Sequence, residues 1–157
     1  AMEIDPFNRN RLMYGTGATI YGTTNLLQWD AGSQITISPM VKGLEETAVL
    51  DLISPPSGAS LVSGLGDIGG FRHTNLDAVP GTMYNQPYMG ATTSLDYAET
   101  NPSVIVRAGN FTDSDRPNDS HAAFSTDGGA NWFQGTEPGG VNNGGTIAAA
   151  ADGRRFV

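Results

Sequence analysis

Residues 125–132 read STDGGANW, which fits the pattern Ser-x-Asp-x-Gly-x-x-Trp that is known as the Asp-box. The pattern predicts a hairpin between two short strands. Asp127 is placed to accept hydrogen bonds from N–H groups of the turn, and Gly129 supplies the positive φ that the turn requires. Ser125 opens the turn and Trp132 packs beneath it. We expect a structural role for Asp127, because the turn uses its hydrogen-bonding capacity.

The rest of the chain repeats the arrangement that leads to this motif. Prolines at positions 6, 55 and 102 each precede a strand-like run, and they are 49 and 47 residues apart. Residues 23–29 contain a shorter, degenerate Asp-box that ends in Trp29. A period of this length, filled with short strands, is typical of the blades of a β-propeller. We predict blade-like units over residues 1–48, 49–100 and 101–157.

The amino-acid composition supports an all-β fold. The 157 residues include 21 Gly and 9 Pro, only 15% of them are charged, and no long tract rich in Ala, Glu, Lys and Leu is present. These features favour short strands joined by turns and argue against long helices. We therefore predict that residues 1–157 form a partial β-propeller domain with an Asp-box hairpin. Both ends of the chain fall inside strand-like runs, so we expect a fragment.

Charge and cysteine content exclude several classes of partner and site. Eight Lys and Arg residues against sixteen Asp and Glu residues give a net charge of −8, without a basic cluster. Such a chain repels phosphate backbones and anionic membranes, so neither nucleic acid nor a membrane is an expected partner. The absence of cysteine rules out a disulfide and a thiolate zinc site. Neutral ligands such as carbohydrate remain compatible with this composition.

A second informative stretch, residues 61–73, reads LVSGLGDIGGFRH. A strand-like start leads to Asp67, with glycines on both sides that allow a backbone or a ligand to approach closely. We expect Ile68 and Phe71 to shield this carboxylate from water. Shielding favours the protonated form that a general acid requires. The alternative is that Asp67 caps a Gly-rich turn and accepts backbone N–H bonds.

The segment that follows, residues 74–97, lacks a regular pattern and is expected to be a long loop that forms the wall of a binding site. Tyr84 and Tyr88 in this loop, and Trp29 earlier in the chain, are candidate platforms for sugar rings. The two tyrosines are equally compatible with a role as core residues that anchor the loop.

No metal or cofactor is expected. The oxygen-rich stretch from Asp113 to Asp119 is compatible with calcium or with a solvated turn, and it lacks the glycine and the terminal glutamate of an EF-hand loop. His73 and His121 are the only histidines, and their spacing does not indicate a metal site.

Residues 5–8, 11–17 and 66–71, taken together with the Asp-box, resemble glycoside hydrolase family 74, the xyloglucanases. The element Gly-Asp-Ile-Gly-Gly-Phe at residues 66–71 is the most specific part of the resemblance. The resemblance implies about three blades of one seven-bladed propeller, which would face a second propeller across a cleft for xyloglucan. It also implies hydrolysis of a β-1,4-glucan backbone with inversion by two aspartates, one from each propeller.

In this resemblance, Asp67 matches the general acid. Gly69 and Gly70 would let the glucan backbone approach, and Arg72 and His73 would contact the substrate or its surroundings unless they fill core or surface positions. The second carboxylate would belong to the opposite propeller, outside these residues. Inversion needs both groups, about 6.5–9.5 Å apart. The isolated chain is therefore expected to be inactive.

We predict part of a secreted xyloglucan-specific endo-β-1,4-glucanase whose partners are xyloglucan, or a related glucan, and the remainder of a parent enzyme. Self-association is the other expected partnership, since blades without neighbours leave apolar faces uncovered. A non-catalytic propeller that binds carbohydrate or protein is the main alternative. A sialidase also shares the Asp-box, but the chain shows no companion Tyr-Glu pattern, so we rank it last.

Overall fold

The computed structural model of the chain describes residues 1–17, 19–41, 47–84, 86–111 and 119–157. Within these residues it contains eleven β-strands, all in antiparallel sheets, and one short 3-10 helix at Leu26–Gln28. This confirms the all-β prediction. None of the described helical segments has the length and hydropathy that a membrane-spanning helix requires. Most of the stretch considered for calcium lies outside the described residues.

The chain divides into two compact units, Ala1–Thr47 and Ala48–Val157. The first unit is a single sheet in the order β1-β2-β3-β4. Its strands are β1 (Met2–Asp5), β2 (Asn8–Gly15), β3 (Ile20–Thr23) and β4 (Ser38–Pro39). The degenerate Asp-box follows β3, and there the Thr23 hydroxyl donates to Asn25 Oδ1 at 2.6 Å. The same oxygen accepts the Thr36 N–H at 3.0 Å. The side-chain oxygen of Asn25 therefore accepts hydrogen bonds in this turn as an aspartate oxygen does in a regular Asp-box.

The second unit begins with a three-stranded sheet in the order β5-β6-β7. Its strands are β5 (Val49–Ile53), β6 (Leu61–Leu65) and β7 (Arg72–His73). Strand β6 is the apolar run predicted before Asp67, and most of it is buried. The candidate aspartate thus follows the second strand of this sheet directly, in the connection to the third.

A four-stranded sheet completes the second unit in the order β11-β10-β9-β8. Its strands are β8 (Ala91–Ala98), β9 (Asn101–Asn110), β10 (Ala122–Ser125) and β11 (Phe133–Gln134). Strand β8 corrects the expectation of a loop over residues 74–97. Its buried positions include the polar residues Thr92 and Ser94. The strand therefore lacks the alternation of apolar and polar residues that would predict it from the sequence. The predicted boundary between residues 100 and 101 falls within this sheet, at the turn between β8 and β9.

Strand β9 has core on both of its faces. Ile105 belongs to the larger cluster, whose other buried members are Ala59, Val62, Tyr84, Met89, Leu95, Ala123 and Trp132. Val106 and Ala108 belong to a second cluster with Ile147. Successive side chains of a strand point to opposite faces, so neighbouring side chains of β9 pack into different clusters.

Two aspartates make equivalent contacts from the first strands of the two sheets. Asp51 in β5 accepts hydrogen bonds from Leu52 N at 2.8 Å and from Leu95 N at 2.7 Å. Asp96 in β8 accepts one from the N–H of the next residue at 2.9 Å and one from Ala149 N at 2.8 Å. Each carboxylate therefore joins its own strand to a segment 44 or 53 residues further along the chain.

We expect both Asp51→Asn and Asp96→Asn to destabilise the second unit. An amide group replaces one acceptor oxygen with a donor, so one backbone N–H loses its partner at a cost of about 1–3 kcal/mol. Urea unfolding checks this result, with Asp77→Asn as the control because Asp77 is exposed. Equal unfolding midpoints for all three variants would contradict the inferred role.

Candidate functional site

Asp67 lies in a tight turn of residues 66–70, which we call the Asp67 turn. Backbone hydrogen bonds close it: Leu65 N donates to Gly69 O at 3.0 Å, and Ile68 N donates to Gly66 O at 2.9 Å. Asp67 has a φ of 69°, and no other non-glycine residue in the described part of the chain has a positive φ. Aspartate adopts this left-handed conformation more readily than most residues. Such local strain is often found at functional sites.

The Asp67 side chain is exposed, which corrects the expected shielding. Ile68 and Phe71 are each only half-buried and do not cover the carboxylate. The capping alternative does not describe it either, because the N–H groups of the turn donate to backbone carbonyls. Among the described residues, none donates a hydrogen bond to this carboxylate. It is therefore available to a ligand or to a group outside the described residues.

Backbone from two other parts of the unit supports the Asp67 turn. Gly66 N donates to Ala48 O at 2.8 Å, and Gly69 N donates to Gly90 O at 3.3 Å. Gly69 has a φ of 71°, and a Cβ at this position would lie 2.8 Å from Met89 O. Gly69 is thus required by the close approach of the chain's own backbone.

Gly70 is constrained more strongly than Gly69. Its φ is 141°, and a Cβ would collide with the carbonyl oxygen of Ser63 and lie 2.8 Å from the Tyr84 ring. The sequence pattern suggested that a glucan chain occupies the space beside Gly69 and Gly70. Protein atoms occupy the position of a Cβ at both residues, so the turn itself requires the two glycines.

Arg72 and His73, which form β7, each have a partner inside the protein. Arg72 Nε donates to Gly128 O at 2.9 Å, which joins β7 to the Asp-box turn. His73 Nε2 lies 3.0 Å from Ser63 Oγ. Both side chains are half-buried. Their contacts agree with the structural alternative for these two residues.

The three candidate aromatic platforms differ in exposure. Tyr84 is only 4% exposed, and its hydroxyl donates to Phe71 O at 2.6 Å, so it is a core residue and not a sugar platform. Burial raises the pKa of the Tyr84 hydroxyl. Tyr88 is half-buried. Trp29, in the first unit, is 72% exposed and remains a candidate platform.

Arg107 is an important residue of this region that the sequence patterns did not reveal. Its side chain is fully buried in β9, and Nη2 donates to Gln86 O at 3.2 Å and to Pro87 O at 2.6 Å. Burial lowers the pKa of the Arg107 guanidinium to about 10. A charged residue within the apolar run Val-Ile-Val-Arg-Ala-Gly was the available signal.

Comparison with known proteins finds xyloglucanases that match almost the whole chain. The chain is 55% identical over 157 residues to a xyloglucanase from Paenibacillus sp, a match that covers 99% of this chain and 15% of the relative. It is 45% identical over 158 residues to xyloglucanase Xgh74A from Acetivibrio thermocellus, covering 99% of this chain and 18% of that protein. The crystal structure of the GH74 xyloglucanase from Xanthomonas campestris matches it with a TM-score of 0.79 and 37% identity, over 99% of this chain and 22% of that one. Over almost its whole length, the chain is therefore similar to a part of the xyloglucanases of glycoside hydrolase family 74.

The chain spans less than a fifth of the length of the Paenibacillus and Acetivibrio xyloglucanases that it matches. No protein-family profile matches it. The structural match confirms the predicted fold class, antiparallel sheets that form part of a β-propeller.

The Asp-box is held together by hydrogen bonds between its own residues. Ser125 Oγ donates to Asp127 Oδ1 at 2.8 Å and accepts the Gly129 N–H at 2.9 Å. The backbone and side-chain amides of Asn131 donate to the two Asp127 oxygens at 2.8 and 2.6 Å. These Asn131 hydrogen bonds are the main cause of a lowered pKa at Asp127. Trp132 is only 8% exposed and lies in the larger core cluster.

The lowered pKa of Asp127 predicts a pH-dependent contribution to stability. A carboxyl whose pKa is lower in the folded state stabilises above the unfolded-state pKa, about 3.9, and loses that contribution as the pH falls through the folded-state pKa. We expect Asp127→Asn to be less stable than the wild type at about pH 6, with a difference that shrinks towards about pH 3. Urea midpoints at both pH values check this, and a pH-independent difference would contradict it.

A cavity of about 650 Å³ lies beside the Asp-box. Its lining combines polar and aromatic side chains, including Arg72, Thr82, Gln86, Asn131 and Trp132, but not Asp67. The exposed carboxylate is therefore not part of the wall of this cavity. No cluster of three or more His, Asp or Glu side chains suited to a metal ion occurs among the described residues.

Proposed function

We propose that this chain carries the general acid of an enzyme that hydrolyses the β-1,4-glucan backbone of xyloglucan with inversion. The observation that best supports the proposal is the Asp67 turn. The Asp67 carboxylate is exposed, and no donor among the described residues forms a hydrogen bond to it. The Asp67 backbone has a φ of 69°, in a turn whose glycines pack against protein backbone. The names of the relatives supply the substrate class.

In the proposed reaction, the Asp67 carboxyl protonates the glycosidic oxygen as its bond to the anomeric carbon breaks. A water molecule attacks the opposite face of that carbon, and a second carboxylate accepts a proton from the water. The second carboxylate comes from outside these residues, so the isolated chain is inactive in this proposal. Binding of a glucan in a cleft removes water from a carboxyl group, and such burial favours the protonated form.

The remaining features of the proposal follow from the same assignment. The substrate is xyloglucan or a related glucan, and the macromolecular partner is the rest of the parent enzyme or, in its absence, a second copy of the chain. Secretion of the parent enzyme is proposed from the resemblance to family 74. Neither a cofactor nor a metal takes part in the proposed reaction.

A chimera tests the proposed function directly. This chain replaces the matching 157 residues of the Paenibacillus relative, to which it is 55% identical. We expect hydrolysis of xyloglucan, and proton NMR of the first product should show new reducing ends in the α configuration. β-Configured first products would contradict inversion. A folded chimera that binds xyloglucan oligosaccharides without hydrolysing them would favour the non-catalytic binding alternative.

A further inference from the structure

Arg107 is a buried cation that the proposed reaction does not use. Its side chain is fully buried, and the ion pairs of the described residues do not include it. Burial of a charge without a counter-charge costs free energy, so a buried cation calls for contacts that an apolar side chain cannot make. The contacts of Arg107 therefore indicate what its charge does.

The guanidinium binds two consecutive carbonyl oxygens between two aromatic rings. Nη2 donates to the oxygens of Gln86 and Pro87 at 3.2 and 2.6 Å. Cζ lies 5.0 Å from the centroid of the Tyr84 ring and 4.8 Å from that of Trp132. Among the described residues, Nε and Nη1 have no hydrogen-bond partner. The position of the guanidinium is thus set by the rings and by the two carbonyls.

These two carbonyls begin residues 86–90, which we call the support segment. The end of the support segment touches the Asp67 turn, because Gly90 O accepts the Gly69 N–H at 3.3 Å and Met89 O leaves no room for a Cβ on Gly69. Tyr84, whose ring contacts the guanidinium, also donates its backbone N–H to Gly70 O at 3.1 Å. A continuous set of contacts therefore runs from Arg107 to both residues that follow Ile68.

We propose that Arg107 is a positioning residue for Asp67: it fixes the support segment, and the support segment fixes the turn that presents the carboxylate. An apolar side chain would fill the same volume but leave two carbonyls without a donor. Lysine would keep a donor but lacks the planar fork that lies between two rings. The expected effect of Arg107 on the Asp67 turn does not depend on the proposed function. The expected effect on catalysis rests on the proposed function, because it requires that Asp67 is the general acid.

Amide hydrogen exchange in this chain tests the positioning step without reference to activity. In Arg107→Met and Arg107→Lys, the Gly69 amide should exchange at least about tenfold faster relative to the amides of β9, because its local opening becomes easier. Ile105→Val is the matched control, since Ile105 is fully buried in the same strand two residues away. It should leave this ratio unchanged. Unchanged relative protection of Gly69 in both Arg107 variants would overturn the proposal, and the lysine variant carries the test if the methionine variant does not fold.

Two substrates in the chimera test the effect on catalysis. Departure of a nitrophenolate needs no proton, whereas cleavage within xyloglucan needs the general acid. Arg107→Met should lower kcat on xyloglucan by about 10- to 100-fold, as expected for a misplaced group, and lower kcat on a nitrophenyl xyloglucan oligosaccharide far less. Ile105→Val should keep the wild-type ratio of the two rates.

The two measurements separate the possible failures. Equal losses on both substrates, with unchanged exchange at Gly69, would show a merely structural role and overturn the proposal. If Asp67→Asn leaves the substrate ratio unchanged while Gly69 exchange still responds to Arg107, the proposed acid role of Asp67 fails and the positioning of the turn by Arg107 stands.

Discussion

Asp67→Asn in the chimera is expected to lower kcat on xyloglucan by about 10²- to 10⁴-fold, the usual contribution of a general acid. The variant removes the acidic proton and little else. Asparagine has nearly the same shape as aspartate, and it also tolerates the left-handed backbone that Asp67 adopts at a φ of 69°. KM should change much less than kcat, because the lost interaction develops in the transition state.

Asp77→Asn is the control for this experiment. Asp77 is also an exposed aspartate after β7, and it should retain full activity when changed. Steady-state kinetics on xyloglucan, combined with a thermal unfolding measurement, distinguishes loss of chemistry from loss of fold. Near-wild-type turnover by a folded Asp67→Asn chimera would remove Asp67 from the proposed reaction.

Gly70→Ala is expected to destabilise the second unit by more than about 3 kcal/mol, since it combines two separate costs. The first is the backbone conformation, because a φ of 141° is rarely adopted by a residue with a Cβ. The second is the collision of the new Cβ with the Ser63 carbonyl, an oxygen that belongs to buried strand β6. Neither the strand nor the turn can move without breaking backbone hydrogen bonds. Chemical unfolding of the chain measures the loss.

Two other glycines separate these costs. Gly58 has a φ of 94°, and no atom lies within 4 Å of the position that a Cβ would take, so Gly58→Ala should show the backbone cost alone, about 1–3 kcal/mol. Gly81 has open space and no unusual φ, so Gly81→Ala should have little effect. A Gly70→Ala loss no larger than that of Gly58→Ala would contradict the close approach of Ser63.

The Asp67 stretch shows how far a local pattern can be interpreted. Its glycines correctly indicate a place where something approaches the backbone closely. The pattern does not say what approaches, and the partners of Gly70 are Ser63 and Tyr84, on different sides of it in sequence. Exposure of Asp67 depends on the turn conformation, so neighbouring apolar residues in sequence were a poor guide to it.

Hydrogen bonds between residues that are distant in sequence could not be predicted from sequence patterns. Asp51 and Asp96 act on N–H groups 44 and 53 residues away, and Arg107 acts on carbonyls 21 and 20 residues away. Periodicity and spacing contain no information about such partners. The Asp-box is different, because all its hydrogen-bonding groups lie within seven residues of sequence and its turn follows from local chemistry.

The burial of strand β8 and of Tyr84 likewise could not be predicted from the local sequence. Small polar residues such as Thr92 and Ser94 are buried in β8, so hydropathy alone suggested a loop. Tyr84 lies in an irregular segment yet packs against Trp132, with ring centroids 5.1 Å apart. Trp132 lies more than forty positions later in the chain, so the sequence around Tyr84 cannot reveal this packing.

The central claim is that Asp67 donates a proton to the leaving group, and its most direct test compares two leaving groups in the Asp67→Asn chimera. The claim predicts a loss of about 10²- to 10⁴-fold on xyloglucan and about tenfold or less on the nitrophenyl oligosaccharide, whose leaving group departs without protonation. Equal losses on the two substrates would show that Asp67 contributes to something other than protonation, and would contradict the claim.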